Sequence, residues 1–203
     1  MMVERNRQNL GDNIFEIPFT HQNIADAAYR KKMMGTISNS VLKGEGTFSG
    51  FVAEEAAKDF LNAELVNQYG NDRFKFDLLW NNYKVEVKAI SLAFAPRETF
   101  HVRIHETSLH QNPDLFVFLC VQYPNKEYKP NEVVAIWMLG AIKRDKFYQK
   151  AEFARKDKPS SFSPVLQKES AFILKINQLS NISNYAINEL NFTKQYSFND
   201  LLK

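Results

Sequence analysis

Cysteine is almost absent from this chain: Cys120 is the only one among 203 residues. A single thiol excludes an internal disulfide framework and any zinc site built on cysteine thiolates. Cys120 lies in the apolar run Leu115 to Val121, where a thiol behaves as a small, inert core side chain. Histidine is scarce too, with four residues at no ligand spacing, which argues against a histidine-based metal centre. No stretch approaches the roughly 20 apolar residues of a membrane span. The opening segment M-M-V-E-R-N-R-Q carries no apolar signal-peptide region, so a cytoplasmic protein with no membrane partner is expected. Internal repeats and low-complexity stretches are missing as well.

What is present is ordinary for a folded protein: 44% hydrophobic and 24% charged residues, enough for one domain with a substantial core. Aromatic residues supply 13%, led by 17 Phe, which favours a β-containing core. A net charge of +3 is too small to argue for nucleic acid by itself. Local clusters say more: Arg30, Lys31 and Lys32; Lys143, Arg144 and Lys146; Arg155, Lys156 and Lys158. They are candidates for phosphate contact, although solvated helix faces and loop ends give the same runs.

Periodicity predicts one α/β domain with a mixed sheet flanked by helices. Residues 1–50 read as a helical and turn-rich segment, with a short strand or arm over 13–19, a helix over 23–34 and turns over 38–49. A core follows over 51–155: a helix from Phe51 to Gln68, a strand pair, a third strand over 99–104 and a short helix or turn over 105–113. Two buried strands are expected over 114–122 and 132–139, after which Gly140 turns the chain into a helix over 141–155. Residues 156–203 read as a last strand, 171–176, and a peripheral tail.

The centre of this scheme is the stretch from Arg73 to Ile90, R-F-K-F-D-L-L-W-N-N-Y-K-V-E-V-K-A-I. Phe74, Phe76, Leu78 and Trp80 fall on one face of a first strand, and Tyr83, Val85, Val87 and Ala89 on the matching face of a second. Asn81-Asn82 tolerates the positive φ angles of a two-residue hairpin turn, which pairs Trp80 with Tyr83 as cross-strand core neighbours. That register sets Asp77 opposite Glu86, and Lys88 opposite Lys75. Like charges directly across a sheet repel, and the natural compensation is a bound cation. Hard oxygen ligands suit Mg²⁺ or Mn²⁺, with Asp77, Glu86 and the Val87 carbonyl as ligands. Lys88 would stabilise charge on a phosphate or position the attacking water. Together these roles describe phosphodiester hydrolysis. A mixed-charge ion-pair network on an exposed sheet face would produce the same pattern.

Asp77, then Glu86-Val87-Lys88 on the next strand, preceded by a helix carrying Gly50-Phe51-Val52-Ala53-Glu54, resembles the PD-(D/E)xK nuclease superfamily. The resemblance covers about the middle third of the chain. It implies a restriction-endonuclease-like core of helix, antiparallel hairpin, further strand, helix and strand. It also implies a catalytic set of Asp77, Glu86, Lys88 and Glu54, with Glu54 aimed at the metal, often through water. Glu54 borders the apolar face of its helix, as that role requires, whereas Glu55 points to the far side. Two departures stand: Phe76 replaces a frequent proline, and the spacing from Asp77 to Glu86 is short. The function implied is a Mg²⁺-dependent DNA endonuclease of restriction, repair or phage type, which a homodimer would suit for duplex cleavage. The alternative is a nucleic-acid-binding module that has kept the fold and lost the chemistry. His105, His110 and Gln111 follow the third strand within reach of the site or the substrate backbone. Ser91 is placed either to contact phosphate or to cap a turn.

Overall fold

Apolar runs that lack alternation must be covered on both faces, and the two longest such runs form the middle of the sheet. In chain order the elements are β1 (Phe15–Ile17), α1 (His21–Met34), α2 (Thr47–Leu61), β2 (Glu64–Leu65), β3 (Leu78–Trp80), β4 (Tyr83–Leu92), β5 (His101–His105), β6 (Leu115–Gln122), β7 (Ala135–Lys143), α3 (Arg144–Lys150), β8 (Glu152–Ala154) and β9 (Ala171–Lys175). The computed structural model describes residues 13–34, 47–66, 76–129, 132–161 and 167–186. Six strands form one sheet in the order β1-β7-β6-β4-β3-β2, and β5-β9-β8 form a second, smaller one. The β4–β6 pair is parallel and every other pair in the large sheet antiparallel, so the sheet is mixed.

Helix α2 covers one face of the large sheet. Its Val52, Ala53, Ala56 and Ala57 pack on Leu78, Val85, Val87, Val117 and Leu119, and α1 packs along its outer side through Ala27. The opposite face carries Phe116, Phe118, Leu139 and Ile142, covered by Val102 and Ile104 of β5, Leu174 of β9 and Phe147 of α3. Each of these large side chains stabilises the fold by about 1.5–3 kcal/mol relative to its exposed state. The expected α/β domain with a mixed sheet flanked by helices is therefore present. Among the described residues no helix is long and apolar enough to cross a membrane.

Several boundaries differ from expectation for local reasons. Helix α2 starts at Thr47 and ends at Leu61, not at Gln68. Asn62 takes φ +50, a left-handed helix stop, and the Ala63 amide returns to the Lys58 carbonyl at 2.9 Å. Helix α1 begins two residues early, because Thr20 and Asn23 form a reciprocal cap: Thr20 N donates to Asn23 Oδ1 at 2.7 Å and Asn23 N to Thr20 Oγ1 at 3.3 Å. The third strand, β5, leaves the hairpin sheet for the smaller one, and the segment after it forms a single 3₁₀ turn at Glu106–Ser108. Strand β4 continues through Leu92, where a loop from Ser91 was expected. The turn-rich segment 38–46, residues 67–75 with Lys75, and the tail beyond 186 lie outside the described residues.

The largest correction concerns Gly140. It does not end a strand; it sits inside β7, which runs on to Lys143, and the predicted long helix shrinks to α3, followed by β8. Pairing with β6 steps from Phe118↔Gly140 to Leu119↔Met138, so Leu139 is the extra residue of a bulge. Gly140 takes φ +127 there, and a Cβ would meet Leu179 Cβ and the Ser180 carbonyl, each at 2.9 Å. Both are held close because Ala141 and Ser180 exchange backbone hydrogen bonds of 2.8 and 2.9 Å. Gly140→Ala is therefore expected to destabilise the protein by ~2–3 kcal/mol. Urea unfolding should show this as a lowered midpoint, and an unshifted midpoint would contradict the close approach.

Candidate functional site

The hairpin forms in the register that its alternation predicts: Trp80↔Tyr83, Leu79↔Lys84 and Leu78↔Val85. Asn81 and Asn82 supply φ +47 and +66, the two positive angles that a type I′ turn needs. The register breaks at Asp77. Its amide donates to the Val85 carbonyl at 2.9 Å, and its Oδ2 accepts the Val87 amide at 2.8 Å. A carboxylate thus takes an N–H that a regular ladder would give to a backbone carbonyl. The direct Asp77–Glu86 pairing across regular strands is not formed; β3 ends at Leu78, and Asp77 folds its side chain onto β4.

Val85 and Val87 lie under α2, so Glu86 and Lys88 fall on the other face of β4. Glu86 is 3% exposed. Its Oε1 accepts from Lys88 Nζ at 2.7 Å and from Gln111 Nε2 at 2.6 Å, and Lys88 Nζ also donates to Gln111 Oε1 at 2.9 Å. Its Oε2 is buried with no hydrogen-bond partner. Gln111, a secondary candidate by sequence, is thus the residue that clamps Glu86 and Lys88 together. An exposed ion-pair face does not describe this geometry, because Glu86 is inside.

Glu54 comes to the same place from α2 and is also buried. Burial, then the charge of Asp77, pushes its pKa from 4.5 up to about 8. Burial, then the charge of Glu86, pushes Asp77 well above the carboxylate range. Burial also raises Glu86, with Glu54 adding to it against the opposing pull of Lys88. Each acid is therefore destabilised by the next, in a closed ring of three.

Arg30 belongs to this site and not to a basic surface. Its Nη2 meets Glu54 Oε2 at 2.5 Å and its Nη1 meets Glu55 Oε1 at 2.9 Å, with only 11% of its side chain exposed. The guanidinium lies 4.5 Å from the Phe51 ring centroid. This revises Arg30 as a nucleic-acid contact, and it revises Glu55 too. Glu55 does point away from the sheet, but α1 covers that side, so it is buried and paired with Arg30 and Lys58, the latter at 2.7 Å. Asn23 Nδ2 adds a 2.6 Å bond to Asp59 Oδ2 between the same two helices.

The remaining candidates spread out. Lys32, Lys143 and Arg155 are exposed, and Lys31 is half-buried. Arg144 opens α3, stacks 5.2 Å from the Tyr148 ring and pairs with Asp145 at 3.5 Å. Tyr148 escaped the sequence reading, although it lies four residues beyond Arg144 on one helix face; its buried hydroxyl feels the charges of Arg144, Lys88 and Glu86. His105 is held below the usual imidazole range, first by burial and then by Arg103 and Lys88. His110 is exposed and bonds the Thr107 carbonyl at 2.8 Å. Ser91 faces α2, donating to Ser49 Oγ at 2.9 Å, and Ser49 joins the Tyr123 hydroxyl at 2.8 Å.

Among the described residues, no three His, Cys, Asp or Glu side chains stand close enough to enclose a metal by themselves. A hard divalent cation needs only one or two carboxylates, because it keeps several waters. The Glu86 oxygen without a partner, the electrostatically coupled Asp77 and the intervening Val87 backbone fit such an ion. No protein-family profile, curated protein or solved structure matches this chain.

Proposed function

We propose that this protein is a Mg²⁺- or Mn²⁺-dependent nuclease that hydrolyses phosphodiester bonds in DNA. The observation that carries this reading is the meeting of Asp77, Glu86 and Lys88, with Lys88 Nζ held 2.7 Å from Glu86 in a buried setting. Three mutually repelling acids are costly to bury without a compensating cation. Asp77 and Glu86 would hold the ion, assisted by the Val87 carbonyl, and Glu54 would orient a water bound to it. The ion would polarise the phosphate and make a bound water more acidic. Lys88 neutralises charge that builds on the phosphate, and Gln111 fixes where its ammonium stands. The set of α2, the β3–β4 hairpin and the parallel β4–β6 pair is what a restriction-endonuclease-like fold would use. Lys31, Lys32, Lys143, Arg144 and Arg155 remain the candidates for DNA backbone contact, and a homodimer would supply the two sites needed for duplex cleavage in the cytoplasm.

The test is direct. Plasmid and single-stranded DNA are incubated with Mg²⁺, Mn²⁺ or a chelator, using wild type and Lys88→Ala. Cleavage that requires the metal and falls by ~10²–10³-fold in Lys88→Ala is expected. Cleavage surviving the substitution would sink the assignment, and DNA binding without cleavage under any metal would favour the binding module.

A further inference from the structure

Asp77 is the acid common to two carboxylate pairs. It is coupled to Glu86 on one side and to Glu54 on the other. Two such pairs sharing one acid are the frame of a two-metal site, in which ions sit about 3.5–4 Å apart and divide the attacking and leaving oxygens between them. Here the pairs differ. The Asp77–Glu86 side retains a buried oxygen with no partner, Glu86 Oε2. The Glu54 side already has a cation, because Arg30 Nη2 lies 2.5 Å from Glu54 Oε2. The Arg30 charge also favours ionised Asp77, so the guanidinium stands beside both acids of that pair.

Building on the metal-dependent reading above, we propose that the Arg30 guanidinium occupies the place of a second divalent cation and so restricts the centre to one ion. Arg30 is suited to permanence. Glu55 holds its other nitrogen at 2.9 Å, Lys58 holds Glu55 in turn at 2.7 Å, and the Phe51 ring lies 4.5 Å from its central carbon. A guanidinium stays charged at every accessible pH and has no acceptor to lend a metal. It therefore neutralises Glu54 without competing for Asp77 or Glu86 as ligands. Arg30 acts here as a positioning residue: it keeps Glu54 ionised and turned away from direct ligation, so that Glu54 holds a water and not an ion.

The experiment counts bound Mn²⁺ from the loss of the free-ion paramagnetic resonance signal at pH 7.5, without DNA. Wild type and Arg30→Lys are expected to bind one Mn²⁺ per chain, and Arg30→Gln two. The double variant Arg30→Gln/Glu55→Gln, which leaves no unpaired Glu55 carboxylate behind, guards against misfolding of the single variant and should also bind two. One Mn²⁺ in the double variant, or two in wild type, overturns the role of Arg30. No Mn²⁺ in wild type at millimolar metal overturns the metal centre itself, and the two failures are told apart by the wild-type count alone.

Discussion

Asp77→Asn is expected to cleave DNA about a thousand-fold more slowly than wild type in Mg²⁺, and to melt at a higher temperature than wild type when metal is removed at pH 8. The two effects share one cause. Asparagine keeps an oxygen for the Val87 amide now bonded to Asp77 Oδ2 at 2.8 Å, so the hairpin is preserved. What disappears is one negative charge in a ring of three. Without a metal that charge is a liability, because burial and Glu86 both oppose it, and its removal should stabilise the fold by ~1–3 kcal/mol. With a metal it is a ligand, and its loss removes several kcal/mol of transition-state charge stabilisation. Plasmid nicking rates and thermal melts in chelator provide the two readouts. A variant that is both inactive and less stable than wild type would show that Asp77 is structural.

The second large effect is a dependence of stability on pH that a divalent cation reverses. Glu54 ionises near 4.5 in an unfolded chain and near 8 in the fold, because burial disfavours its charge; Asp77 and Glu86 move in the same direction. Between those values the folded state binds more protons than the unfolded one. The contribution of these acids is therefore complete below about pH 4.5 and is lost as pH rises through about 8. Metal-free protein should lose about 5–10 °C in melting temperature between pH 5.5 and pH 8.5. Millimolar Mg²⁺ should restore most of that loss at pH 8.5 and add little at pH 5.5, where protons already occupy the site. Melting curves at the two pH values, with and without Mg²⁺, test this. A flat profile, or a rise in stability with pH, would remove the buried-acid cluster as a metal centre.

The hairpin was legible because its signals are local. Two asparagines at the turn and a strict two-residue period fix the pairing of Trp80 with Tyr83 within a few residues of chain. The buried strands β6 and β7 were legible for a related reason, since continuous apolar runs have few other places to go. Arg30 was misread because its partners belong to another helix. A run of Arg-Lys-Lys looks like a solvated face until α2 packs against it and presents Glu54 and Glu55. Gly140 was misread as a stop because a glycine at a bulge and a glycine at a turn look alike in sequence; what distinguishes them is Ser180, forty residues away. The transfer of β5 to a second sheet likewise depends on β9, a partner far along the chain. Gln111 carried no period or motif, and only the path from β5 to β6 brings it onto Glu86 and Lys88.

The two walls of the site differ in stiffness. Glu86 and Lys88 project from β4, a ten-residue strand paired along its length with β6 and, at its start, with β3. Asp77 projects from just outside a three-residue strand whose outer neighbour, β2, is two residues long. Local opening is governed by how many paired neighbours must let go, so the β4 wall is the anvil and the Asp77 wall yields. When charge enters the ring, the adjustment falls on Asp77, and the span between the carboxylates is set by how far its short strand can give.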